Sequence, residues 1–233
     1  RLVGATGVSV SAVESVLGST GADAVTLLAA TGLSVSNVET VTGSAGVDAI
    51  SMLGGGSLRV GQVETVLGST GADAVTFEGG GALVVSRVES VLGTTAVDDA
   101  VTMLSGGTLS ASAVETVIGT STASDVVRLL GAASLSVSAV ETVIGSTGTD
   151  VVTQLDAGAL AVSAVETVLG TDSLSTADVL QLVGGSTVSA SAIETLLGST
   201  ATDTVTLLGG GNIAASAVET LTGSGDLDVL TLL

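Results

Sequence analysis

The 233 residues include no cysteine, histidine, proline, tryptophan or tyrosine, and Phe77 is the only aromatic residue. Each absence excludes a chemistry. Without Cys or His there is no thiolate nucleophile, no disulfide, no imidazole base and no zinc site built from the usual ligands. A single ring offers no stacking platform for bases or sugars. Basic residues are scarce, 4 against 23 acidic ones, for a net charge of −19. That balance argues against a nucleic-acid partner and against an anionic membrane surface. No apolar run approaches the ~18 residues that a membrane-spanning helix needs, so no membrane insertion is expected. What is abundant is small and apolar: 33 glycines, and 45% hydrophobic residues rich in Val, Leu and Ile. A disordered acidic tail does not have that composition.

Periodicity dominates the sequence. Glutamate recurs as Glu14, Glu39, Glu64, Glu89, Glu115, Glu141, Glu166, Glu194 and Glu219, at intervals of 25, 26 or, once, 28 residues. A glycine follows each four residues later, from Gly18 to Gly223, and Val or Ile precedes each. An aspartate comes nine or ten residues after most of them: Asp23, Asp48, Asp73, Asp98 or Asp99, Asp125, Asp150, Asp203 and Asp228. In the stretched seventh repeat the best match is Asp178. Nine copies of one unit make an array rather than a globule with a grafted site. Residues 1–233 are expected to form a single continuous repeat array, a fragment of a longer solenoid, because both ends fall at the same phase of the repeat.

Each repeat holds three short apolar segments. Leu33-Ser34-Val35-Ser36 and Asp73-Ala74-Val75-Thr76-Phe77 alternate with the period of two expected of a half-buried strand. Val and Thr favour strands because their branched carbons are stiff and pack well on a pleated surface. Clusters such as Gly54-Gly55-Gly56 supply corners. The expected fold is all-β: a parallel β-solenoid, a right-handed β-helix by the usual crossover preference, of about nine coils of about 25 residues with three strands per coil. Val66 and Val75 should be buried, whereas Gln62, in a column shared with Ala, Asn and Arg, should face solvent. The alternative is a strand–helix unit like a leucine-rich repeat, since Ser11-x-x-Glu14 reads as a helix capping box and Gly18 as a C-terminal cap. Against it, Ala-Val-Glu-Thr-Val-Leu is rich in β-branched residues and too short to be stable as a helix.

Stacking such coils would turn every repeated residue into a ladder. Glu neighbours in one column would stand about 5 Å apart, a repulsion of about 1 kcal/mol per pair in water and more at lower dielectric. The arginines fall outside those columns, so cations, corner N–H groups or solvent must compensate. Regular Thr and Ser columns also arise; these are ordinary hydroxyl ladders within sheets, and an ice-binding face is a weaker reading because Thr-x-Thr pairs are missing. The Asp column has the stronger claim to a metal. Asp23, Asp48, Asp73 and Asp150 each end a Gly-x-x-Gly-x-Asp turn, in which backbone carbonyls lie beside a carboxylate, a donor set that suits Ca2+. An Asp that accepts hydrogen bonds and shapes its corner is the competing reading.

Gly68-Ser69-Thr70-Gly71-Ala72-Asp73-Ala74-Val75-Thr76 resembles the G-G-x-G-x-D-x-U-x nonapeptide of RTX, or haemolysin-type, calcium-binding repeats. Val63-Glu64-Thr65-Val66-Leu67-Gly68-Ser69 is similar to segments in the long repeat regions of large secreted bacterial surface proteins, and this core recurs along the whole chain. The resemblance implies an extracellular or cell-surface, Ca2+-dependent solenoid, with the metal at the turn aspartates. The departures are a repeat longer than the family's coil, one glycine turn per repeat instead of two, and Ser or Thr in place of the second glycine. Function on this reading is structural: a rod-like extender of an adhesin, or a surface-layer, matrix or filament component. It associates head to tail with itself or continues in the same chain. The alternative is an acidic-ladder module that binds Ca2+, a mineral or another surface. No enzyme is expected, because the acids recur in every repeat and the bases are scattered.

Overall fold

A computed structural model describes all residues except 5–6, 96–97 and 172–176. The described residues form 27 short strands and no helix, so the all-β expectation holds and the strand–helix alternative does not. Two compact units, Arg1–Thr116 and Val117–Leu233, have the same construction.

In the first unit, β1 (Gly7–Val10), β2 (Ser15–Leu17), β3 (Ala24–Leu27), β4 (Gly32–Ser36), β5 (Thr40–Thr42), β6 (Ala49–Met52), β7 (Gly56–Gly61), β8 (Thr65–Leu67) and β9 (Asp73–Phe77) follow one another as three strands per repeat. Odd-numbered strands pair in parallel in one sheet and even-numbered strands in a second. The chain therefore crosses from sheet to sheet at every corner. One turn of the solenoid contains two strands, and among β1–β9 paired residues lie 16, 17 or 19 positions apart, as in Ala24 with Thr40, Gly7 with Ala24 and Thr40 with Arg59. The second unit repeats this, for example with Val126 opposite Thr142 and Thr142 opposite Ala161.

This corrects the expected coil. The three strands per repeat are present, but they do not close a three-sided coil of about 25 residues. Each repeat makes one and a half turns, and 27 strands at two per turn give about thirteen turns rather than nine. The pairing of every second strand leaves two sheets face to face, about 10 Å apart, and the inward Val, Leu and Ile fill that gap. Inward positions are closed to solvent: Leu33, Val41, Ile50, Leu58, Val66, Leu83 and Leu109 are among the fully buried side chains, and Phe77 lies in the same core. Val38, Val63, Val88 and Val114, each preceding a Glu, plug the ends of the core at the corners.

Val66 and Val75 are buried as expected and Gln62 is exposed. A charge at the first two would enter a dry stack without a partner. Val66→Asp should therefore lower stability by about 3–5 kcal/mol, whereas Gln62→Asp should change it by less than about 0.5 kcal/mol. Urea denaturation of the two variants beside the parent chain measures this, and equal shifts would mean that the facing of these strands is wrong.

Candidate functional site

The corner residues form one network, repeated along the chain. Asp73 shows it in full. Its side chain is 1% exposed although it is ionisable. Its Oδ2 accepts hydrogen bonds from the backbone N–H and the hydroxyl of Ser69, at 2.6 and 2.9 Å. Its Oδ1 accepts from the N–H of Gly56, on the preceding turn, at 3.2 Å. Its own N–H donates to Oε2 of Glu89, on the following turn, at 2.7 Å, and its carbonyl accepts from the N–H of Glu89. One aspartate thus binds three successive turns together. Charge-assisted bonds of this kind are the strong ones, and together they offset the cost of burying the carboxylate.

The same pairing of Asp N–H with the next glutamate recurs as Asp23 with Glu39, Asp48 with Glu64, Asp99 with Glu115, Asp125 with Glu141, Asp150 with Glu166, Asp178 with Glu194 and Asp203 with Glu219, all at 2.7–2.8 Å. Asp99, not Asp98, occupies the fourth position, and Asp178 occupies the seventh. The 26- and 28-residue intervals are explained here. The donor to Oδ2 lies four residues before Asp48 or Asp150, five before Asp99 and Asp125, and seven before Asp178, so the extra residues fall inside this turn and leave the strands in phase.

The four aspartates singled out for Ca2+, Asp23, Asp48, Asp73 and Asp150, are buried at 0–1% exposure, and their Oδ2 atoms accept N–H bonds from Ser19, Ser44, Ser69 and Ser146. They do not differ from the aspartates whose turns lack the second glycine. Asp203 receives the same pair of bonds from Ser199, and Ala201 donates its N–H to the Ser199 hydroxyl just as Gly71 does to Ser69. The N–H is supplied by glycine or alanine alike, but side-chain room differs between turns: a Cβ at Gly46 or Gly148 would lie 2.5 Å from the Cβ of Ala30 or Ala132, whereas Ala201 stands beside Gly185.

The structure does not bring the glutamates into one ladder. Because a repeat is one and a half turns, successive glutamates fall at opposite edges. In the first unit, Glu39 and Glu89 precede strands of one sheet and Glu14, Glu64 and Glu115 strands of the other. Each edge reads Asp, Glu, uncharged corner: Asp23, Glu39, Gly56, Asp73, Glu89 on one, Asp48, Glu64, Gly81, Asp99 on the other. Glutamates at one edge are three turns, about 14 Å, apart, beyond the ~8 Å screening length at physiological salt. Adjacent Asp and Glu are linked through the aspartate's own backbone N–H. Arg59 is not isolated from the acids either: its Nε lies 2.6 Å from Oε1 of Glu78, with both side chains solvent-exposed.

Two features were not read from the sequence. The residue two before each glutamate, from Ala12 through Asn37, Gln62 and Arg87 to Ala217, is left-handed, with φ between 50° and 56° at all nine positions. Asn37 is the one sequence hint, since Asn tolerates that region. The second is why a glycine follows each glutamate. A Cβ at Gly18, Gly43, Gly68 or Gly145 would sit 1.5–1.8 Å from the carbonyl oxygen of the left-handed residue of the next repeat. The recurring glycine is a close approach between two corners.

Asp73→Asn tests the network. The amide turns one acceptor into a donor, which then faces the N–H of Ser69 or of Gly56. Loss of charged hydrogen bonds and the buried mismatch should cost about 2–4 kcal/mol, and Ser69→Ala about 1 kcal/mol. Urea midpoints measure both; an unchanged midpoint for Asp73→Asn would show that these bonds do not hold the turns.

Fold and network together define a parallel β-solenoid repeat protein in which carboxylates clamp successive turns. No protein-family model, no curated protein and no solved structure matches the chain.

Proposed function

We propose that this chain is a non-catalytic structural segment, a spacer of stacked coils in an extracellular or cell-surface repeat protein such as an adhesin extender or a surface-layer, matrix or filament component. The observation that supports it is uniformity: the same Asp–Glu bonds recur in eight successive repeats, so the charged groups are occupied in holding turns to one another. The composition offers no Cys nucleophile and no His base, and the carboxylates recur in every repeat with the basic residues scattered. Each repeat is related to the next by a half-turn, so coils can be added in phase, which suits continuation in the same chain or head-to-tail stacking of a second copy. The two-strand turn also suits the likeness to haemolysin-type rolls, whose coils are shorter than this repeat.

A second reading, favoured by the net charge of −19, is an acidic module that binds Ca2+, a mineral or another cationic surface. Chelation separates the two. On the spacer reading the turn carboxylates are satisfied by N–H and O–H donors, so far-ultraviolet circular dichroism should show the same strand signal in EDTA and in millimolar Ca2+. Collapse of the signal in EDTA would make the turn aspartates metal ligands and couple binding to folding.

A further inference from the structure

One groove departs from its counterparts, and it does so in two places at once. Four grooves recur at corresponding corners, next to Glu39, Glu89, Glu141 and Glu194. In three of them the inward residue ending the third strand is apolar, Met52, Met103 or Leu207, and two residues on stands Gly54, Ser105 or Gly209. In the groove beside Glu141, of about 240 Å3, the same two positions are Gln154 and Asp156. Both changes add oxygen donors to the same cavity.

Gln154 ends the strand Val151–Gln154 and is 7% exposed. Its Nε2 donates to the carbonyl of Gly158 at 3.1 Å, which fixes the amide with its oxygen turned away from Gly158. That Oε1 is buried and, among the described residues, has no hydrogen-bond partner. An unpaired buried polar atom costs free energy, and here a neighbour of opposite polarity is missing. Asp156 accepts the N–H of Ala139 at 3.1 Å, and Glu141 accepts the N–H of Asp125 through Oε2. Each carboxylate keeps acceptor capacity, and the only ion pair among the described residues, Arg59 with Glu78, lies in the other unit.

We propose that the groove formed by Glu141, Gln154 and Asp156 is a binding site for a hard divalent cation. Two carboxylates and a neutral amide oxygen are the donor types that Ca2+ takes, with water completing its six to eight ligands. The site is distinct from the turn aspartates, whose oxygens are engaged by backbone donors, and it does not rest on the spacer reading.

Calorimetric titration of the full chain with CaCl2 at fixed ionic strength tests it, alongside Gln154→Leu and Asp156→Gly. These variants install the residues of the groove beside Glu194, so their folding is safeguarded, and circular dichroism confirms it. The expected result is one saturable site with Kd of about 10⁻⁴–10⁻³ M, weakened at least tenfold by either substitution. No saturable heat up to about 10 mM Ca2+ would overturn the proposal and leave water as the partner of Gln154. Equal binding by parent and variants would also overturn it, by placing the cation elsewhere.

Discussion

Excision of Glu64–Val88, one 25-residue repeat, should leave a folded protein, whereas excision of the 16 residues Asp73–Val88 should not. The first removes one and a half turns and moves every downstream strand of the unit to the opposite sheet. That move is harmless because the two sheets carry the same columns: Val66 and Val91 are equivalent residues of successive repeats, one in each sheet. The order Asp, Glu, uncharged corner is preserved along each edge. The second excision removes about one turn and keeps every downstream strand in its sheet, yet it deletes Asp73 and stacks the Glu89 turn on the one that carries Gly56. Ser69 and Gly56 then lose their acceptor and Glu89 loses its donor. Several charged hydrogen bonds at about 1.5–3 kcal/mol each are a large share of a typical stability. Circular dichroism and calorimetry decide between them. Tolerance of the 16-residue excision would show that pairing of strands, not the corner network, keeps the turns in phase.

Gly68→Ala should be severely damaging. The added Cβ would lie 1.8 Å from the carbonyl oxygen of Arg87 and 3.0 Å from Oδ2 of Asp73. Neither neighbour can retreat: Arg87 is held by its left-handed corner and Asp73 by its bonds to Ser69 and Gly56. The turns must separate locally, breaking the Gly68 N–H bond to Ser86 with them. A loss of about 4–5 kcal/mol is expected, in the range of severe core lesions. Gly54→Ala is the control, because its Cβ would meet nothing within 4 Å, and it should cost less than about 1 kcal/mol. The two urea midpoints give the comparison, and similar values would remove the close approach as the reason for the recurring glycine.

The candidate network was legible only in its parts. Its members stand out in the sequence as recurring Asp, Glu and Gly. The reading of Asp73 as a metal ligand and the reading of it as a corner acceptor draw on the same residues, and spacing does not separate them. Only the position of the Ser69 and Gly56 donors, one on the same turn and one on the turn before, assigns its oxygens. Gln154 and Asp156 break their columns visibly, but which groove they share depends on how the corners fold over one another.

What the sequence determined by itself is the local structure. Period-two alternation in Leu33–Ser36 and Asp73–Phe77 specifies strands and the side that faces inward, Val75 included, and the residue types shared by each column put Val66 inside and Gln62 outside. The tertiary structure alone decided which strands pair. Alternation says which side chains share a face, not how many strands close a turn. Closure is set by which strands pair: every second strand joins the same sheet, and the inward Val and Leu fill the gap between the two sheets. From that pairing follow the one-and-a-half-turn repeat, the glutamates divided between two edges instead of stacked in repulsion, and the glycine four residues after each of the first eight glutamates pressed against a left-handed corner of the next repeat.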